Sequence, residues 1–377
     1  MKLSTTPAQD GFYFPAEFQP VSEVWLAWPE RKDNWRDDAL PAQETFARIA
    51  NLIAEVTKVC VAVCSHNFDR ARQMLYPDVR LVEIPFNDAW MRDIGPTVLV
   101  NQAGERRGIS WQFNAWGGEY NGLYDNWKQD DLVAGSVCDI IGIDYYRAPF
   151  VLEGGAIHTD GEGTLYTTEE CLLSPGRNPQ LSKAQIEEQL KAYLGIEKII
   201  WLPNGLFNDE TDGHVDNLMH VIAPGKVVLS WTDDPSDPQY ALSRQAEQVL
   251  KSQHDAKGRE IEIVRLPLPG PLHYSEREAN GIDASSGMSR QAGERLSASY
   301  ANFLIVNGHV FLPMLDEDTD ALRSIFCKTR CRNTKSSRYR RERFYSAEGT
   351  FTALRSRSQL KHKLAADLAA MMSCQKE

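Results

Sequence analysis

Short apolar segments alternate with amphipathic ones along most of the 377-residue chain. Phe46, Ile49 and Ile53 recur at three- and four-residue intervals within residues 36–58, which places them on one face of a predicted helix. A polar helix through Arg72 is predicted after the next apolar run. Further helices are predicted at 183–194, with Ser182 as its N-cap, and at 239–252. Short strands are predicted at 59–64, 80–84, 97–100, 164–167, 198–202 and 227–231.

Two hairpins are indicated by turn dipeptides between apolar runs. Asn307-Gly308 separates residues 300–306 from 309–312, and Pro224-Gly225 separates 218–222 from 227–229. Strands and helices are thus interleaved in short units, and no Pro- or Ser-rich linker divides them. The pattern predicts one α/β domain.

Composition supports a folded protein outside the membrane. The chain is 42% hydrophobic, too apolar for a disordered protein, and it has no apolar run of the ~18 residues that a membrane helix needs. The first residues lack the apolar region of a secretory signal, so we expect a cytoplasmic protein. Seven scattered cysteines are then expected to be reduced thiols.

The charge divides the chain into two parts. Residues 322–377 contain 14 basic and 4 acidic residues, a net charge of +10, whereas the rest of the chain carries −21. An acidic body disfavours nucleic acid and suits a cationic substrate. The basic tail is unlike the body and requires a separate explanation.

Polar and aromatic residues are concentrated in three segments at predicted strand ends. Residues 87–96 contain two aspartates, an arginine and Trp90, which are costly to bury unless paired; a surface loop with an internal Asp–Arg pair is an equal alternative. Residues 152–158 place Glu153 before two glycines, as where a backbone must approach another group closely, although most Gly-Gly pairs are only turns. His158 in this segment is interpreted as structural.

The third segment, residues 209–217, places His214 and Asp216 two positions apart. On an extended segment both side chains would point to one face, so that an imidazole is available for proton transfer beside a carboxylate that orients a substrate. Asp209, Glu210 and Asp212 would add negative potential at the same opening. A His-x-Asp pair can also bind metal, but no third ligand stands at a recognisable spacing, so we expect neither a metal nor a cofactor.

Such carboxylates suit a guanidinium group, which is planar, permanently charged and pairs with carboxylates in a bidentate manner. Breaking its C–N bond requires a nucleophile on the central carbon and an acid for the departing ammonia. A cysteine thiolate with a neighbouring histidine is the usual solution.

Ordered motifs point to a known family. They are Trp25-Leu26-Ala27-Trp28-Pro29, residues 87–96, residues 113–118, residues 152–158, residues 167–173, residues 213–217 and residues 298–303. Over about residues 8–325 the series resembles the agmatine deiminases of the guanidine-modifying (pentein) superfamily. The resemblance implies a five-bladed α/β propeller of ββαβ units with the site at its centre.

The resemblance also implies roles for individual residues. The guanidinium-binding carboxylates fall on Asp93 and Asp216, and the acid/base group on His214, supported by Glu153. Trp90 would line the aliphatic stem of the substrate. Glu210 would lie near its distal amine. The implied reaction converts agmatine and water to N-carbamoylputrescine and ammonia, on the route to putrescine and the polyamines.

The chain departs from the family at its C-terminal end. The family ends in Gly-Gly-Gly-Asn-Ile-His-Cys-Ile-Thr-Gln-Gln, which carries the nucleophilic cysteine, and this string is absent from the sequence. Residues 346–357 can be back-translated with synonymous codons and then read in a shifted frame, in which each new codon joins the third base of one codon to the first two bases of the next. In this frame an allowed choice of codons translates to that same string. The cysteine codon then spans Thr352 and Ala353. Synonymous choice can vary only the first base of each shifted codon, because the other two bases are constrained by the encoded residue. Agreement over the whole string is therefore hard to attribute to chance.

We infer a single frameshift near residues 325–327, either real or from sequencing. The predicted organisation is therefore a pentein domain at 1–325, with an incomplete last blade, and an out-of-frame basic tail at 326–377. Two alternatives concern the tail: Cys327, Cys331 or Cys374 as a relocated nucleophile, or residues 338–343 as a segment that binds nucleic acid or a partner.

Three functions follow as hypotheses. The first is an agmatine deiminase that lacks its nucleophile and is therefore inactive or severely impaired, with a small cationic guanidine as partner, no nucleic acid or membrane, and a possible homo-oligomer. The second is a peptidyl-arginine deiminase-like hydrolase. The third is a non-catalytic guanidine-binding or nucleic-acid-binding relic.

Overall fold

The described strands of the computed structural model fall into five small sheets. The structure describes residues 1–283 and 290–316, together with the backbone of residues 344–347. In chain order the strands are β1 (Lys2–Leu3), β2 (Glu23–Ala27), β3 (Lys58–Val63), β4 (Arg80–Glu83), β5 (Thr97–Val100), β6 (Arg106–Gln112), β7 (Tyr145–Val151), β8 (His158–Thr159), β9 (Thr164–Thr168), β10 (Lys198–Leu202), β11 (Met219–Ala223), β12 (Lys226–Trp231), β13 (Glu262–Pro267), β14 (Leu304–Val306), β15 (His309–Pro313) and β16 (Phe344–Ala347).

The helices connect these strands or cap their ends. They are α1 (Leu40–Ala54), α2 (Phe68–Met74), α3 (Met91–Ile94), α4 (Gly118–Asn121), α5 (Asp130–Ile141), α6 (Glu169–Leu172), α7 (Lys183–Leu194), α8 (Val215–Leu218), α9 (Gln239–Ser252) and α10 (Glu276–Asn280). None of the helices in the described ranges combines the length and the apolar character that crossing a bilayer requires.

Three of the sheets show the predicted ββαβ unit directly. In each, an antiparallel hairpin leads through a helix to a third strand that pairs in parallel: β5-β6-α5-β7, β8-β9-α7-β10 and β11-β12-α9-β13. Strand β1 adds to the edge of the first of these sheets. Strands β2, β3 and β4 form a parallel sheet with α1 and α2 as its crossovers. With the sheet β14-β15-β16, five blades are present, as the propeller prediction requires.

The fifth sheet matches the three-stranded sheets in strand number, although we predicted an incomplete last blade. Strand β16 pairs in parallel with β15 from Val310–Phe344 to Pro313–Ala347. An unpaired strand edge accepts any extended segment through main-chain hydrogen bonds, whatever its side chains are. A segment of the tail fills this place. The rest of the predicted tail, 326–343 and 348–377, lies outside the described residues.

Local signals in the sequence are confirmed where they are strongest. Asn307 and Gly308 both have positive φ, 49° and 79°, as a two-residue type I′ turn between β14 and β15 requires. Ser182 and Gln185 form a reciprocal capping box at the start of α7. Helix α1 is shorter than the predicted 36–58, because Pro41 fits its first turn and Lys58 already belongs to β3.

The core lies between the blades and their outer helices. Ile49 and Ile53 of α1 are 1% and 0% exposed, as their spacing predicts. Burial of each such side chain stabilises the folded state by about 2–3 kcal/mol. Strands β6 and β7, with helix α5 between them, were not identified from the sequence, although they form the centre of the largest sheet. The packed blades fix the positions of the connections between them.

Candidate active site

All six predicted site residues lie in connections that leave one blade and enter the next. Trp90 and Asp93 lie between β4 and β5, and Glu153 lies between β7 and β8. Glu210, His214 and Asp216 lie between β10 and β11. Residues more than 120 positions apart in sequence are brought together because successive blades present equivalent connections to the same centre.

Asp93 is a buried carboxylate held by two donors. It lies in the one-turn helix α3, and its side chain is almost inaccessible. The backbone N–H of Gly155 donates to its Oδ1 at 2.8 Å, and the indole Nε1 of Trp116 lies 3.2 Å from its Oδ2. The alternative of an exposed loop with a local Asp–Arg pair is therefore wrong for Asp93.

His214 lies between two further carboxylates. Its Nε2 is 3.9 Å from Oε2 of Glu153, and its Nδ1 is 4.0 Å from Oδ1 of Asp216. All three side chains are buried, and neither ring nitrogen has a hydrogen-bond partner in the part of the chain that the structure describes. The imidazole can therefore exchange a proton with a group that enters the site.

The local backbone at His214 differs from the expectation. We predicted an extended segment that points His214 and Asp216 to one face, but Asp216 lies inside the one-turn helix α8 and His214 is its N-cap residue. A tight turn can still bring residues two positions apart together, because the N-cap side chain and the first helical turn lie close in space. The pairing was predicted correctly and its backbone conformation was not.

The paired glycines are explained by close approach to site residues. A Cβ added at Gly154 would lie 2.1 Å from the carbonyl oxygen of Arg92. A Cβ at Gly155 would lie 2.3 Å from Nδ1 of His214 and 3.0 Å from Oδ2 of Asp216. Any larger residue at either position would displace the site, so this Gly-Gly pair is more than a turn.

Trp90 forms part of an aromatic wall. Its ring stacks on Trp35 at 5.3 Å and meets Trp116 edge-on at 5.8 Å, while its Nε1 donates to Asp88 at 2.7 Å. Trp90, Trp116 and Glu210 line a small pocket. The wall is rigid, since each ring is fixed by its neighbours.

The acidic residues at the opening, which we predicted to add negative potential there, already have hydrogen-bond or ion-pair partners. The Glu210 carboxylate accepts two hydrogen bonds from Arg290, at 2.9 and 3.1 Å, and one from Tyr274 at 3.3 Å. Asp212 pairs with Arg177 at 3.0 Å. Asp209 accepts hydrogen bonds from the neutral side chains of Thr211 and Asn217, so arginines balance the charge of two of the three acids, Glu210 and Asp212.

Arg177 is a site residue that the sequence analysis missed. Its Nε lies 2.8 Å from Oε1 of Glu153, its Nη1 contacts Asp212, and its Nη2 donates to the carbonyl of Thr211 at 2.7 Å. The arginine side chain is completely buried. The signal available in the sequence was a single arginine in a Pro- and Gly-rich turn, together with the need of a buried Glu153 for a cation.

The charges of the site favour a protonated imidazole beside an ionised Glu153. Burial alone lowers the pKa of His214, but the carboxylates of Asp93, Glu153 and Asp216 raise it to about 9. Burial opposes ionisation of Glu153, yet Arg177 and His214 hold the pKa of this carboxyl below its usual value. At neutral pH His214 therefore carries a proton that it can donate.

The two other carboxyls are less acidic than usual. Burial raises the pKa of Asp216 to about 7, although Arg92 and His214 oppose the rise. Burial also raises the pKa of Asp93, opposed by His214 and the Gly155 N–H. A bound guanidinium would favour the ionised forms of both, because it supplies the missing positive charge.

Two groups of side chains could hold a metal by proximity: Glu17 with His158 and His220, and Glu153 with Cys171 and His214. In each group an arginine already contacts the carboxylate, Arg92 at 2.9 Å and Arg177 at 2.8 Å, and its charge opposes a cation. The expectation of no metal and no cofactor stays a prediction.

The described cysteines do not offer a thiolate. Burial raises the pKa of Cys60, Cys64 and Cys138 to about 12, and it raises the pKa of Cys171 well above its usual value. Cys171, which lies beside Glu153 and His214, is therefore unsuited to nucleophilic attack. The candidates Cys327, Cys331 and Cys374 lie outside the described residues.

The fold is that of the guanidine-modifying (pentein) superfamily. The model of the family described as Porphyromonas-type peptidyl-arginine deiminase matches residues 13–333, and the chain belongs to this family. Two curated relatives in this family carry the provisional name agmatine deiminase.

Two relatives and one solved structure illustrate this assignment. A protein of Vibrio parahaemolyticus, provisionally named agmatine deiminase, is 98% identical over 322 residues, which cover 85% of this chain and 89% of that protein. A protein of Photobacterium profundum with the same provisional name is 57% identical over 85% of this chain and 88% of its own length. The structure of the agmatine deiminase of Enterococcus faecalis has a TM-score of 0.88 at 41% identity and covers 94% of this chain and 97% of its own.

Proposed function

We propose that this chain is an agmatine deiminase that hydrolyses agmatine to N-carbamoylputrescine and ammonia when its nucleophilic cysteine is present. The observation that carries the proposal is the buried set of two carboxylates and one imidazole around Gly155. A guanidinium is the small cation whose planar N–H groups match two separate carboxylates. The name shared by the relatives points to the same substrate.

In the proposed reaction, Asp93 and Asp216 bind the guanidinium N–H groups. A cysteine thiolate attacks the central carbon, the C–N bond to one terminal nitrogen breaks, and His214 gives its proton to the departing ammonia. Neutral His214 then takes a proton from water, whose oxygen attacks the same carbon. The C–S bond breaks, which releases N-carbamoylputrescine and regenerates the thiolate. Glu153 orients the imidazole and stabilises its charged form.

Trp90 and Glu210 are assigned to the rest of the substrate. The Trp90 ring would pack against the four-carbon stem. Glu210 would meet the distal amine, and because Arg290 now pairs with it, the amine must share or replace that contact. Binding therefore exchanges one cation for another at Glu210.

The nucleophile is the part that this chain lacks, and we propose that a frameshift near residues 325–327 removed it. Three blades are followed by a connection that carries predicted site residues, and in sequence order residues 348–357 follow β16, the last strand among the described residues. The shifted reading of residues 346–357, which contains the cysteine, begins within that strand. The predicted tail of 52 residues is about as long as the part of the chain outside the 98% match.

The chain as written is then expected to bind agmatine weakly and to turn it over negligibly. Resequencing the coding DNA around codons 320–330 tests the frameshift directly. The activity test compares ammonia release from agmatine by the present chain, by a chain with the frame restored, and by the restored chain with its motif cysteine changed to alanine. Only the second should be active. Equal ammonia release from all three would refute the proposal.

A peptidyl-arginine deiminase-like activity is the second candidate, because the matching family model carries that description. Agmatine, free arginine and a peptide ending in arginine, offered to the frame-restored chain, separate the two functions. A preference for the peptide would favour the second. Agmatine binding without turnover by the restored chain would instead favour a guanidine-binding relic. Salt-sensitive retention on DNA would favour the nucleic-acid reading, which the −21 charge of the body opposes.

The biological setting follows from the same proposal. N-carbamoylputrescine is one hydrolysis away from putrescine, so the enzyme would serve polyamine supply. A cytoplasmic location and a homo-oligomer stay predictions. Fractionation of cells and light scattering of the purified chain test them.

A further inference from the structure

A second ionic network lies directly behind Asp216. The guanidinium of Arg92 stands between two carboxylates: its Nη1 is 2.9 Å from Oε2 of Glu17, and its Nε is 3.6 Å from Oδ2 of Asp216. Arg92 immediately precedes Asp93 in helix α3, so the same helical turn supplies one carboxylate of the site and the cation that faces the other.

Glu17 is held in place from three sides. Besides Arg92, its Oε1 accepts a hydrogen bond from the backbone N–H of Ile305 at 3.0 Å and lies 3.3 Å from Nε2 of His220. His220 belongs to β11 and Ile305 to β14, so two blades fix this carboxylate. Its position is therefore set by the fold and not by Arg92 alone.

The two contacts of Arg92 are unequal. At 2.9 Å the contact with Glu17 is a hydrogen-bonded ion pair, whereas 3.6 Å to Asp216 exceeds hydrogen-bond length. Within the described ranges, Nε of Arg92 and Oδ1 of Asp216 have no hydrogen-bond partner. Arg92 is thus near enough to act on Asp216 electrostatically without occupying its oxygens.

We propose that Glu17 is a positioning residue of the guanidinium site: it holds Arg92 just beyond hydrogen-bond distance of Asp216. Arg92 then supplies positive charge while the Asp216 oxygens stay free for substrate. The inference rests on the proposed function in assigning Asp216 to the substrate. A direct Arg92–Asp216 hydrogen bond would compete with the guanidinium of the substrate, because both are the same chemical group.

The charges around Asp216 explain why its distance from Arg92 should be neither longer nor shorter. Asp216 is faced by Arg92 and His214, which favour its ionised form, and by Asp93 and Asp209, which oppose it. Burial raises the pKa of Asp216 to about 7, so loss of the Arg92 charge would leave it neutral at physiological pH. Arg92 must therefore be close, yet not bonded.

The charges around Glu17 are consistent with its role as an anchor. Burial opposes its ionisation, but His220, Arg92 and His158 hold the pKa of this carboxyl well below its usual value. Glu17 therefore remains an anion and keeps its hold on Arg92 throughout the neutral range. A metal held by Glu17, His158 and His220 is the competing use of the same carboxylate.

The test uses the full 377-residue chain with 13C-labelled aspartate carboxyls, in which the Asp216 signal is assigned by its loss in Asp216→Asn. Titration of that signal reports ionisation without any substrate, and calorimetry reports agmatine binding separately. The variants are Glu17→Gln, Arg92→Met and the charge-conserving Arg92→Lys. Glu247→Gln is the matched control, since Glu247 is similarly buried and pairs with Arg265 at 2.8 Å.

Glu17→Gln and Arg92→Met are expected to shift the titration midpoint of Asp216 in opposite directions, which a purely structural role of Glu17 would not produce. In Arg92→Met the Asp216 midpoint should rise, and a rise of one pH unit from 7 cuts the ionised fraction at pH 7 about fivefold. Arg92→Lys should restore most of it. In Glu17→Gln the midpoint should fall, because Arg92 moves closer, yet agmatine should bind more weakly.

Several results would overturn the proposal. They are an unchanged Asp216 midpoint in both variants, parental agmatine affinity in Glu17→Gln, or the same effects in Glu247→Gln. Stoichiometric zinc in the purified chain, with midpoint changes produced equally by a chelator, would assign Glu17 to a metal instead. If neither this chain nor the frame-restored chain binds agmatine, the proposed function fails, while the titration still decides the position of Arg92. Circular dichroism of each variant confirms that it is folded.

Discussion

Replacing Asp216 by asparagine should stabilise the protein. The carboxyl is buried, and no described residue donates a hydrogen bond to it, because its partners Arg92 and His214 are 3.6 and 4.0 Å away. Its pKa is raised from 3.8 to about 7, mainly by burial. Above the unfolded pKa the native state therefore binds more protons than the unfolded state, and stability falls as pH rises towards 7.

The magnitude follows from the size of that rise. A difference of about three pH units at 1.36 kcal/mol each corresponds to ~4 kcal/mol above pH 7, which Asp216→Asn recovers because the amide is neutral. At pH 5 less than half of this cost has developed. An unfolding entropy of ~2.1 cal/mol/K per residue converts the gain at pH 8 into a rise of about 5 °C in melting temperature.

Thermal unfolding of the full chain, followed by circular dichroism at pH 5 and pH 8, measures the effect. Asp10→Asn is the control of opposite sign, because the Tyr146 hydroxyl and other donors lower the pKa of Asp10, and its loss should reduce stability at pH 8. A melting temperature of Asp216→Asn at or below that of the parent at pH 8 would refute the reasoning, as would an equal gain at both pH values.

Three further predictions concern the same site. Gly155→Ala should lower the free energy of unfolding by about 2 kcal/mol or more and weaken agmatine binding, because its Cβ would lie 2.3 Å from the His214 imidazole. Denaturant unfolding and calorimetry measure the two effects, and Gly135→Ala on helix α5 is the control that should be tolerated. Arg177→Met should destabilise the chain by about 3–5 kcal/mol, because Glu153 would be left buried without its cation; an unchanged denaturation midpoint would contradict this. Agmatine should bind about tenfold more tightly at pH 8 than at pH 6, because Asp216 loses its proton near pH 7 while the guanidinium stays charged; a flat calorimetric pH profile would count against this role.

Prediction from sequence succeeded where local chemistry leaves few choices. Asn307-Gly308 can adopt the positive φ of a type I′ turn at little cost, so the hairpin could be predicted without knowledge of its neighbours. The ordered motifs likewise identified the family, and the segments predicted to carry the site lie in connections between the blades. At His214 and Asp216 the pairing was predicted, but the helical turn at Asp216 was not, because a four-residue helix has no periodicity to detect.

Ion pairs between residues that lie far apart in the sequence could not be predicted. Arg177 pairs with Glu153, Arg290 with Glu210 and Arg92 with Glu17, and none of these pairs lies within one element. Whether a carboxylate is free for substrate or neutralised by an arginine depends on distances of a few ångströms between different connections.

By itself, the sequence determined the alternation of strands and helices and the family, and it indicated the carboxylates and the imidazole that we propose for the site, because these depend on residue type and order along the chain. The tertiary structure decided the protonation of His214, the weak acidity of Asp216 and the engagement of Glu210. Those properties arise from burial and from charges that the folded blades bring within about 4 Å of one another, and Coulomb interactions at that distance in a buried site outweigh the intrinsic preference of each group.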